Sequence, residues 1–333
     1  MSDYWRPIPL GDIAAVGGAY ALAGGPVRFT HVEHLRRDAP PQVVAASTIP
    51  AGALQNLTAP RPPICNLTMD QPRIMGIINV TPDSFSDGGD HAAPEAAVAG
   101  AGAMTDADIL DIGGESTRPG SDTVSAAAEL ARVEPVIAAL RRAGRPTPVS
   151  IDTRKADVAR AAVAAGASLV NDVSACAYDP AMADTVRDLD VPVCLMHASG
   201  DPKTMQQNPR YDDVLLDVYD YLAARVAYVE SLGIRRSGII VDPGIGFGKT
   251  RDHNLALLRR LSLFHGLGCA VLLGVSRKRF IGDIGAAPDA KDRFPGSCAV
   301  ALDALRQGVQ ILRVHDVAQT AQAVRLFTAL HPL

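Results

Sequence analysis

The sequence GIINVTPDSFSDGG, at residues 76–89, joins an apolar run typical of a β-strand to a polar segment that ends in two glycines. Six oxygen-bearing side chains and one Phe fall between Asn79 and Asp87. A solvated turn needs few of these groups, whereas an anionic or metal-bound ligand takes several polar partners. The stretch therefore predicts a strand that opens directly into a ligand site.

The composition of the chain limits the classes of protein to which it can belong. Its 333 residues are 47% hydrophobic and carry a formal net charge of −4, which gives no support for nonspecific nucleic-acid binding. The five cysteines are scattered and include no CxxC pair, so we expect reduced thiols in a cytoplasmic protein. The run from Ile13 to Gly25 is too short and too rich in glycine to cross a membrane.

The chain divides by pattern into an extension of unknown role at residues 1–61 and a repetitive domain at residues 62–333. In the extension, Val27–Glu33 predicts a strand, and the Ala- and Pro-rich segment Asp38–Pro63 predicts a linker or an irregular covering segment. In the domain, short β-branched runs alternate with Ala- and Leu-rich stretches of helical pattern. Eight runs predict strands: Arg73–Asn79, Asp108–Gly113, Pro148–Asp152, Ser168–Asp172, Pro192–His197, Gly238–Asp242, Ala270–Ser276 and Gln310–Val314.

The stretches between these strands predict helices. They include Ser125–Arg142, Lys155–Ala165, Asp212–Leu232, Asp252–Phe264, Asp292–Gln307 and Val317–Leu330. Eight strands, each followed by a helix, over roughly 260 residues match an α/β fold of the (β/α)8 TIM-barrel type with an N-terminal extension. A doubly wound open sheet is the competing architecture, and the count of eight favours the barrel.

Polar residues follow all eight predicted strands, which is how a barrel enzyme builds its site. Asp152, Asn171 and Asp242 end three different strands. Carboxylates and an amide in a half-buried pocket suit a ligand with several N–H donors, such as a guanidine-like heterocycle. Capping of the following helix is the alternative for each of the three, and Asp172 is the better capping candidate.

Cationic residues collect at the ends of the last two strands. Lys278, Arg313 and His315, joined by Arg118, resemble the phosphate corner of many barrels, whereas Arg277 and Arg279 fit solvated side chains. Asp83 and Asp87 lie near Asn79 and could share a Mg²⁺ ion, because Mg²⁺ takes few protein oxygens together with ligand phosphates.

These motifs resemble the dihydropteroate synthases, a family of pterin-binding enzymes. The two signatures of that family are similar to residues 76–89 and 111–121 of this chain. The similarity continues in unbroken order through residues 64–330, and it includes residues 150–155, 194–206, 240–249, 274–282 and 313–317. The first sixty or so residues lie outside it.

The resemblance implies a reaction and a set of roles. 6-Hydroxymethyl-7,8-dihydropterin diphosphate would condense with p-aminobenzoate to give 7,8-dihydropteroate and pyrophosphate in folate biosynthesis. Pyrophosphate would leave before the amine attacks, with Mg²⁺ at Asn79 sharing its charge. The implied pterin ligands are Asp152, Asn171, Met196, Asp242 and Lys278, and the implied catalytic residues are Asn79, Asp87, Lys278, Arg313 and His315.

The resemblance also assigns the second half of the site. Diphosphate or p-aminobenzoate would contact Phe85, Ser116, Thr117, Arg118, Pro119, Phe247, Arg313 and His315, several of them on loops that complete the pocket. It further implies a homodimer formed through the last barrel helices and competition by sulfonamides. Two alternatives remain: a pterin-dependent methyltransferase domain, which holds no diphosphate, and a non-catalytic pterin-binding paralogue.

Overall fold

A computed structural model describes residues 3–11, 17–80, 92–116, 120–200 and 203–331 of the chain. Eight parallel strands form a closed barrel in chain order, with the last strand paired to the first. Because strands of the extension come first in the chain, the barrel strands are β5 to β12. They are Arg73–Asn79 (β5), Ile109–Gly113 (β6), Val149–Asp152 (β7), Leu169–Asp172 (β8), Val193–Met196 (β9), Ile239–Asp242 (β10), Ala270–Leu273 (β11) and Ile311–Val314 (β12).

Helices follow the barrel strands and cover the outside of the barrel. Those of the domain are Ala92–Ala103 (α2), Ala126–Arg142 (α3), Ala156–Ala164 (α4), Met182–Leu189 (α5), Val214–Ser231 (α6), Arg251–Leu258 (α7), Arg279–Gly285 (α8), Phe294–Arg306 (α9) and Val317–Leu330 (α10). The predicted (β/α)8 barrel is confirmed, and the open sheet is excluded. The predicted helix Asp252–Phe264 is two elements, α7 and a 3-10 helix over Leu261–Leu267.

Side chains on the barrel strands alternate between the inside of the barrel and the helices. Outward residues such as Ile74, Leu110 and Val149 join the main hydrophobic core with the helices. Inward residues of seven of the eight strands, all except β7, form a separate apolar cluster: Met75, Ile109, Leu169, Cys194, Ile240, Leu272 and Ile311. Ile64 and Met69 precede β5 and belong to the same cluster, so they close the amino-terminal end of the barrel.

The extension is an antiparallel sheet rather than an irregular segment. Tyr4–Pro9 (β1), Tyr20–Ala21 (β2) and Ala39–Ala45 (β4) all pair with Arg28–Arg36 (β3). The prediction that Asp38–Pro63 is irregular is wrong, because this segment contains β4 and the helix Ala51–Thr58 (α1). Prolines at positions 40 and 41 weaken the strand signal, yet β4 has β3 as its one neighbour, and an edge strand tolerates proline.

The sheet packs on the side of the barrel, against α6 and the 3-10 helix Leu261–Leu267. The Tyr4 hydroxyl donates to Asp220 Oδ2 of α6 at 2.8 Å, and Ser262 Oγ donates to the carbonyl of Pro7 at 2.8 Å. Glu33 of β3 pairs with Arg260 at 3.2 Å. Within the described ranges, every helix is too short or too polar to span a lipid bilayer.

Candidate active site

The inward positions change from apolar to polar two residues further along the barrel strands. On β6, for example, the inward position after Ile109 is Asp111. The same step places Asp111, Asp152, Asn171, Asp242 and Arg313 on the inner face of five strands, whereas on β9 it places Met196, which stays apolar. The carboxyl ends of parallel barrel strands lie at one end of the barrel, so these side chains form one ring.

Arg313 connects the ring. Its Nε donates to Asp111 Oδ2 at 2.6 Å, and its Nη2 donates to Asp152 Oδ2 at 2.6 Å. Asn171 Nδ2 donates to the same Asp111 oxygen at 3.2 Å. One guanidinium therefore holds two carboxylates from neighbouring strands. Sequence reasoning assigned Arg313 to diphosphate, and this counter-ion role was not part of that prediction.

Two buried carboxylate oxygens of the ring remain available. Asp111 Oδ1 and Asp152 Oδ1 have no hydrogen-bond partner among the described residues. A buried acceptor without a donor costs free energy, about 1–3 kcal/mol, which a ligand with N–H groups would recover. Burial raises the pKa of Asp152 to about 7, against the opposing influence of Arg313. Burial likewise raises the pKa of Asp242 to about 6.

The helix-capping alternative fails for two of the three predicted ligands. Asp152 pairs with Arg313, and Asn171 donates to Asp111. Asp242 Oδ1 does accept from the backbone N–H of Gly244 at 2.7 Å, which fixes its own loop rather than a helix. Asp172 points away from the ring and accepts from the backbone N–H groups of Ser174 and Cys176, which lie in the loop after β8. The prediction that Asp172 caps the following helix is therefore wrong, because α5 begins only at Met182.

Lys278 reaches the ring from the end of β11. Its ammonium lies 4.1 Å from the centroid of the Phe247 ring, a cation–π contact. It also interacts electrostatically with Asp242, whose pKa it lowers in opposition to burial. The structure thus brings together Asp242, Phe247 and Lys278, all three predicted from the sequence.

His315 follows Arg313 by two residues and is held by the neighbouring strand end. Its Nδ1 lies 3.0 Å from Ser276 Oγ, and its backbone N–H donates to the same oxygen at 3.2 Å. Arg277 is not solvated as predicted, because it forms a bidentate pair with Asp316. Arg279 is 91% exposed in its side chain, which agrees with the prediction for that residue.

The remaining predicted residues lie at the mouth of the ring or outside the described part. Asn79 ends β5 in register with Gly113, and strand alternation from Met75 places it on the inner face. Ser116 follows β6, and its carbonyl accepts a hydrogen bond from the Ser121 hydroxyl. The predictions for Phe85, Asp87, Thr117, Arg118 and Pro119 concern residues that the structure does not describe.

Sequence reasoning missed Asp111 as a site residue. The signal was present, because Asp111 occupies the inward position two residues before Gly113 and is fully buried.

Sequence reasoning also missed the buried cluster of Glu115, Glu129, Arg154 and Lys155 behind the ring. There Lys155 Nζ lies 3.0 Å from Glu115 and 2.5 Å from Glu129, and Glu115 accepts from the Val124 backbone at 3.0 Å.

Comparisons with known proteins identify the family of this chain. The family model described as "Pterin binding enzyme" matches residues 75–315. The dihydropteroate synthase of Neisseria meningitidis serogroup B is 48% identical over 269 residues, covering 79% of this chain and 94% of that protein. These relatives favour the synthase over the methyltransferase alternative.

Solved structures give the same result. The Xanthomonas albilineans dihydropteroate synthase with 4-aminobenzoic acid has a TM-score of 0.76 and 48% identity, covering 80% of this chain and 96% of that one. The same enzyme in complex with 7,8-dihydropteroate has a TM-score of 0.73 and 45% identity over the same shares. The Yersinia pestis enzyme with a sulfonamide drug has a TM-score of 0.75 and 42% identity, covering 80% and 97%. The chain belongs to the pterin-binding enzyme family, among the dihydropteroate synthases.

Proposed function

We propose that this chain condenses 6-hydroxymethyl-7,8-dihydropterin diphosphate with p-aminobenzoate to give 7,8-dihydropteroate and pyrophosphate. The observation that carries the proposal is the buried ring in which Asp111 and Asp152 each keep one unpaired oxygen. The N–H donors of a pterin's guanidine-like edge match such acceptors. Asn171 and Asp242 add an amide and a third carboxylate at the same depth of the barrel.

The chemistry needs a leaving group to be stabilised more than it needs a strong base. In the proposed dissociative path, the bond from the pterin methylene carbon to the diphosphate oxygen breaks, and the electron pair leaves with pyrophosphate. The p-aminobenzoate nitrogen then forms the new C–N bond and loses one proton to solvent. Arg313, His315 and Lys278 provide donors for the anion and the pterin, and such prearranged charges are often the largest contribution to catalysis.

Mg²⁺ fits the donors at the mouth of the ring. Among the described residues, no three His, Cys, Asp or Glu side chains lie close enough to hold a metal by themselves. Asn79 offers one carboxamide oxygen, which matches an ion that completes its shell with water and phosphate oxygens. When bound, the ion would neutralise charge on the departing diphosphate. We expect the Asn79→Ala variant to need more Mg²⁺ for half-maximal activity, measured by titration from a chelated solution.

Pyrophosphate release tests the proposed reaction. Release should require both the pterin diphosphate and p-aminobenzoate. Asp242→Asn should lower kcat/KM by about 10- to 100-fold, since it removes a charged acceptor from a buried site. Asp252→Asn is the matched control, because Asp252 is 83% exposed in its side chain on α7. Pterin binding without pyrophosphate release would support the non-catalytic alternative instead.

Sulfonamides should compete with p-aminobenzoate in the same assay. The support is the Yersinia pestis relative, whose structure holds a sulfonamide drug, and the neighbouring Phe247 and Lys278, which suit an aromatic anion. Steady-state inhibition should raise the KM for p-aminobenzoate without changing kcat. Inhibition that p-aminobenzoate does not relieve would contradict a shared pocket.

Two further proposals concern assembly and location. We propose that the chain forms a homodimer through the last barrel helices, and that it is cytoplasmic. Leu326 and Leu330 of α10 are 62% and 76% exposed, which leaves an apolar surface for a second copy. All five cysteines lie among the described residues as free thiols, as in a reducing compartment. Leu326→Lys should shift the sedimenting species toward a monomer, whereas Val43→Lys, at an exposed position on β4, should not.

A further inference from the structure

Lys249 is a buried cation that the proposed mechanism does not use. It lies near the end of the loop after β10 and is 3% exposed. Its Nζ is 2.8 Å from His197 Nδ1, 2.8 Å from the Gly244 carbonyl and 3.0 Å from the Phe247 carbonyl. The ammonium form of Lys249 has three N–H donors, which these three acceptors match, and the His197 carbonyl lies further away at 3.4 Å. None of these partners is a carboxylate, and burial lowers the pKa of Lys249 well below its usual value. Burial and Lys249 lower the pKa of His197 to about 3, which keeps its ring nitrogen available as an acceptor.

The loop that Lys249 holds, residues 243–250, is fixed along its whole length. Gln206 Nε2 donates to the Gly246 carbonyl at 2.6 Å, and the Tyr211 hydroxyl donates to the Gly248 carbonyl at 2.7 Å. Gly244 has φ of +67°, and a Cβ there would lie 1.8 Å from the His197 carbonyl oxygen. Only glycine fits at that position, which sets the loop directly against the end of the neighbouring strand β9.

The loop carries the ring that contacts Lys278. The Phe247 ring centroid lies 4.1 Å from Lys278 Nζ, and the Lys278 stem passes 3.3 Å from where a Cβ of Gly246 would stand. Phe247 therefore links two lysines, since its carbonyl accepts from Lys249 and its ring contacts Lys278. Without the Lys249 donors, the carbonyls of Gly244 and Phe247 would lose their shared partner.

We propose that Lys249 is a positioning residue: it holds the Gly244 and Phe247 carbonyls and so places the Phe247 ring and the Lys278 ammonium beside Asp242. The inference rests on the proposed function, because it assigns Lys278 to the pterin pocket. Small displacements of a substrate-binding group cause large losses of activity, so a residue remote from the substrate can control the site.

Lys249→Met keeps the length of the side chain and removes its three donors. We expect kcat/KM to fall by about 10- to 100-fold and the Kd of a non-reacting oxidised pterin to rise by at least about tenfold. Pterin binding is measured by fluorescence and requires no turnover, so it tests Lys249 even if the chain releases no pyrophosphate. Unchanged pterin affinity in a folded variant would overturn the proposal. If Lys249→Met does not fold, Lys249→Leu, which also removes all three donors, takes its place and the same outcomes apply.

Arg61→Met is the matched control. Arg61 is a second buried cation satisfied by carbonyl oxygens, those of Asn56, Ala59, His265 and Cys269, and it lies outside the ring. We expect it to lower the melting temperature while leaving the Kd of the pterin within about twofold of the original value. An equal loss of pterin affinity in both variants would show a general effect of losing a buried cation and would refute positioning.

A double-mutant cycle with Phe247→Ala tests the route from Lys249 to Lys278. If Lys249 acts through Phe247, adding Lys249→Met to Phe247→Ala should change the Kd of the pterin by less than about twofold, because contacting residues are not additive. If the two substitutions instead raise the Kd of the pterin by independent factors that multiply in the double variant, this route is wrong.

Discussion

At the residue scale, the burial of Asp152 in the ring should make pterin affinity dependent on pH. Burial raises the pKa of Asp152 from 3.8 to about 7, so its carboxylate, the form that accepts two N–H bonds, is the minor form at lower pH. Affinity for an oxidised pterin should therefore rise from pH 5 to pH 7, by up to about tenfold per pH unit, and level off above it. Fluorescence titration at half-unit intervals measures this slope.

Asp152→Asn is the control for that assignment. Asparagine keeps the size of the side chain and does not titrate. The change in pterin affinity near pH 7 should therefore disappear, and overall affinity should fall. A smaller change in pterin affinity near pH 6 should remain, because burial raises the pKa of Asp242 to about 6. A step that stays near pH 7 in this variant would belong to another group.

The residues of the ring also show which site features the sequence could predict. Asp152, Asn171 and Asp242 are the last or next-to-last residues of their strands, so a polar residue after an apolar run was enough to find them. Asp111 lies inside β6, two residues before its end, so it is not marked by the change from an apolar run to polar residues. The pairing of Arg313 with two carboxylates depends on barrel closure, which brings β12 across from β6 and β7 and has no counterpart in local sequence.

At the element scale, the buried charges behind the ring fix the connections that leave β6 and β7. Lys155 lies between Glu115 and Glu129, whose side chains are 2% and 0% exposed. Burial alone would raise the pKa of Glu115, but hydrogen bonds from Arg154 and Lys155 hold that pKa below its usual value. Lys155→Met leaves two buried carboxylates without this partner and should lower the free energy of unfolding by about 3–5 kcal/mol, measured in urea.

Arg187→Met is the surface comparison for Lys155→Met. Arg187 pairs with Asp184 and Asp188, whose side chains are 55% and 61% exposed, so the loss should be less than about 1 kcal/mol. Similar losses for the two variants would mean that burial does not strengthen the Lys155 pairs.

Elements of the barrel were predictable to within a few residues, and those of the extension were not. A barrel strand is buried on both faces, so its apolar run stands out between polar ends, as in Arg73–Asn79. By contrast, β4 has the sequence APPQVVA and is a largely exposed edge strand. It contains no long apolar run, and it forms a strand because it pairs with β3.

At the scale of the whole molecule, the extension and the domain should unfold together. The extension has its own small core, which includes Leu22, Phe29 and Val32, but Tyr4 and Leu35 pack into the main core of the barrel. The predicted boundary after residue 61 falls at a buried Arg61 that bonds to backbone on both sides of it. Contacts of this kind couple the stability of the two parts.

Phe29→Ala tests that coupling, because Phe29 is fully buried in the extension and lies outside the ring. We expect it to lower the free energy of unfolding by about 3–5 kcal/mol and to lower the melting temperature of the barrel in one transition, seen alike by circular dichroism and by loss of pterin binding. Val43→Ala, at a position 64% exposed on β4, should change stability by less than about 0.5 kcal/mol. An early transition that melts the extension while pterin binding persists would show two independent units, and the extension would then be dispensable for the stability of the site.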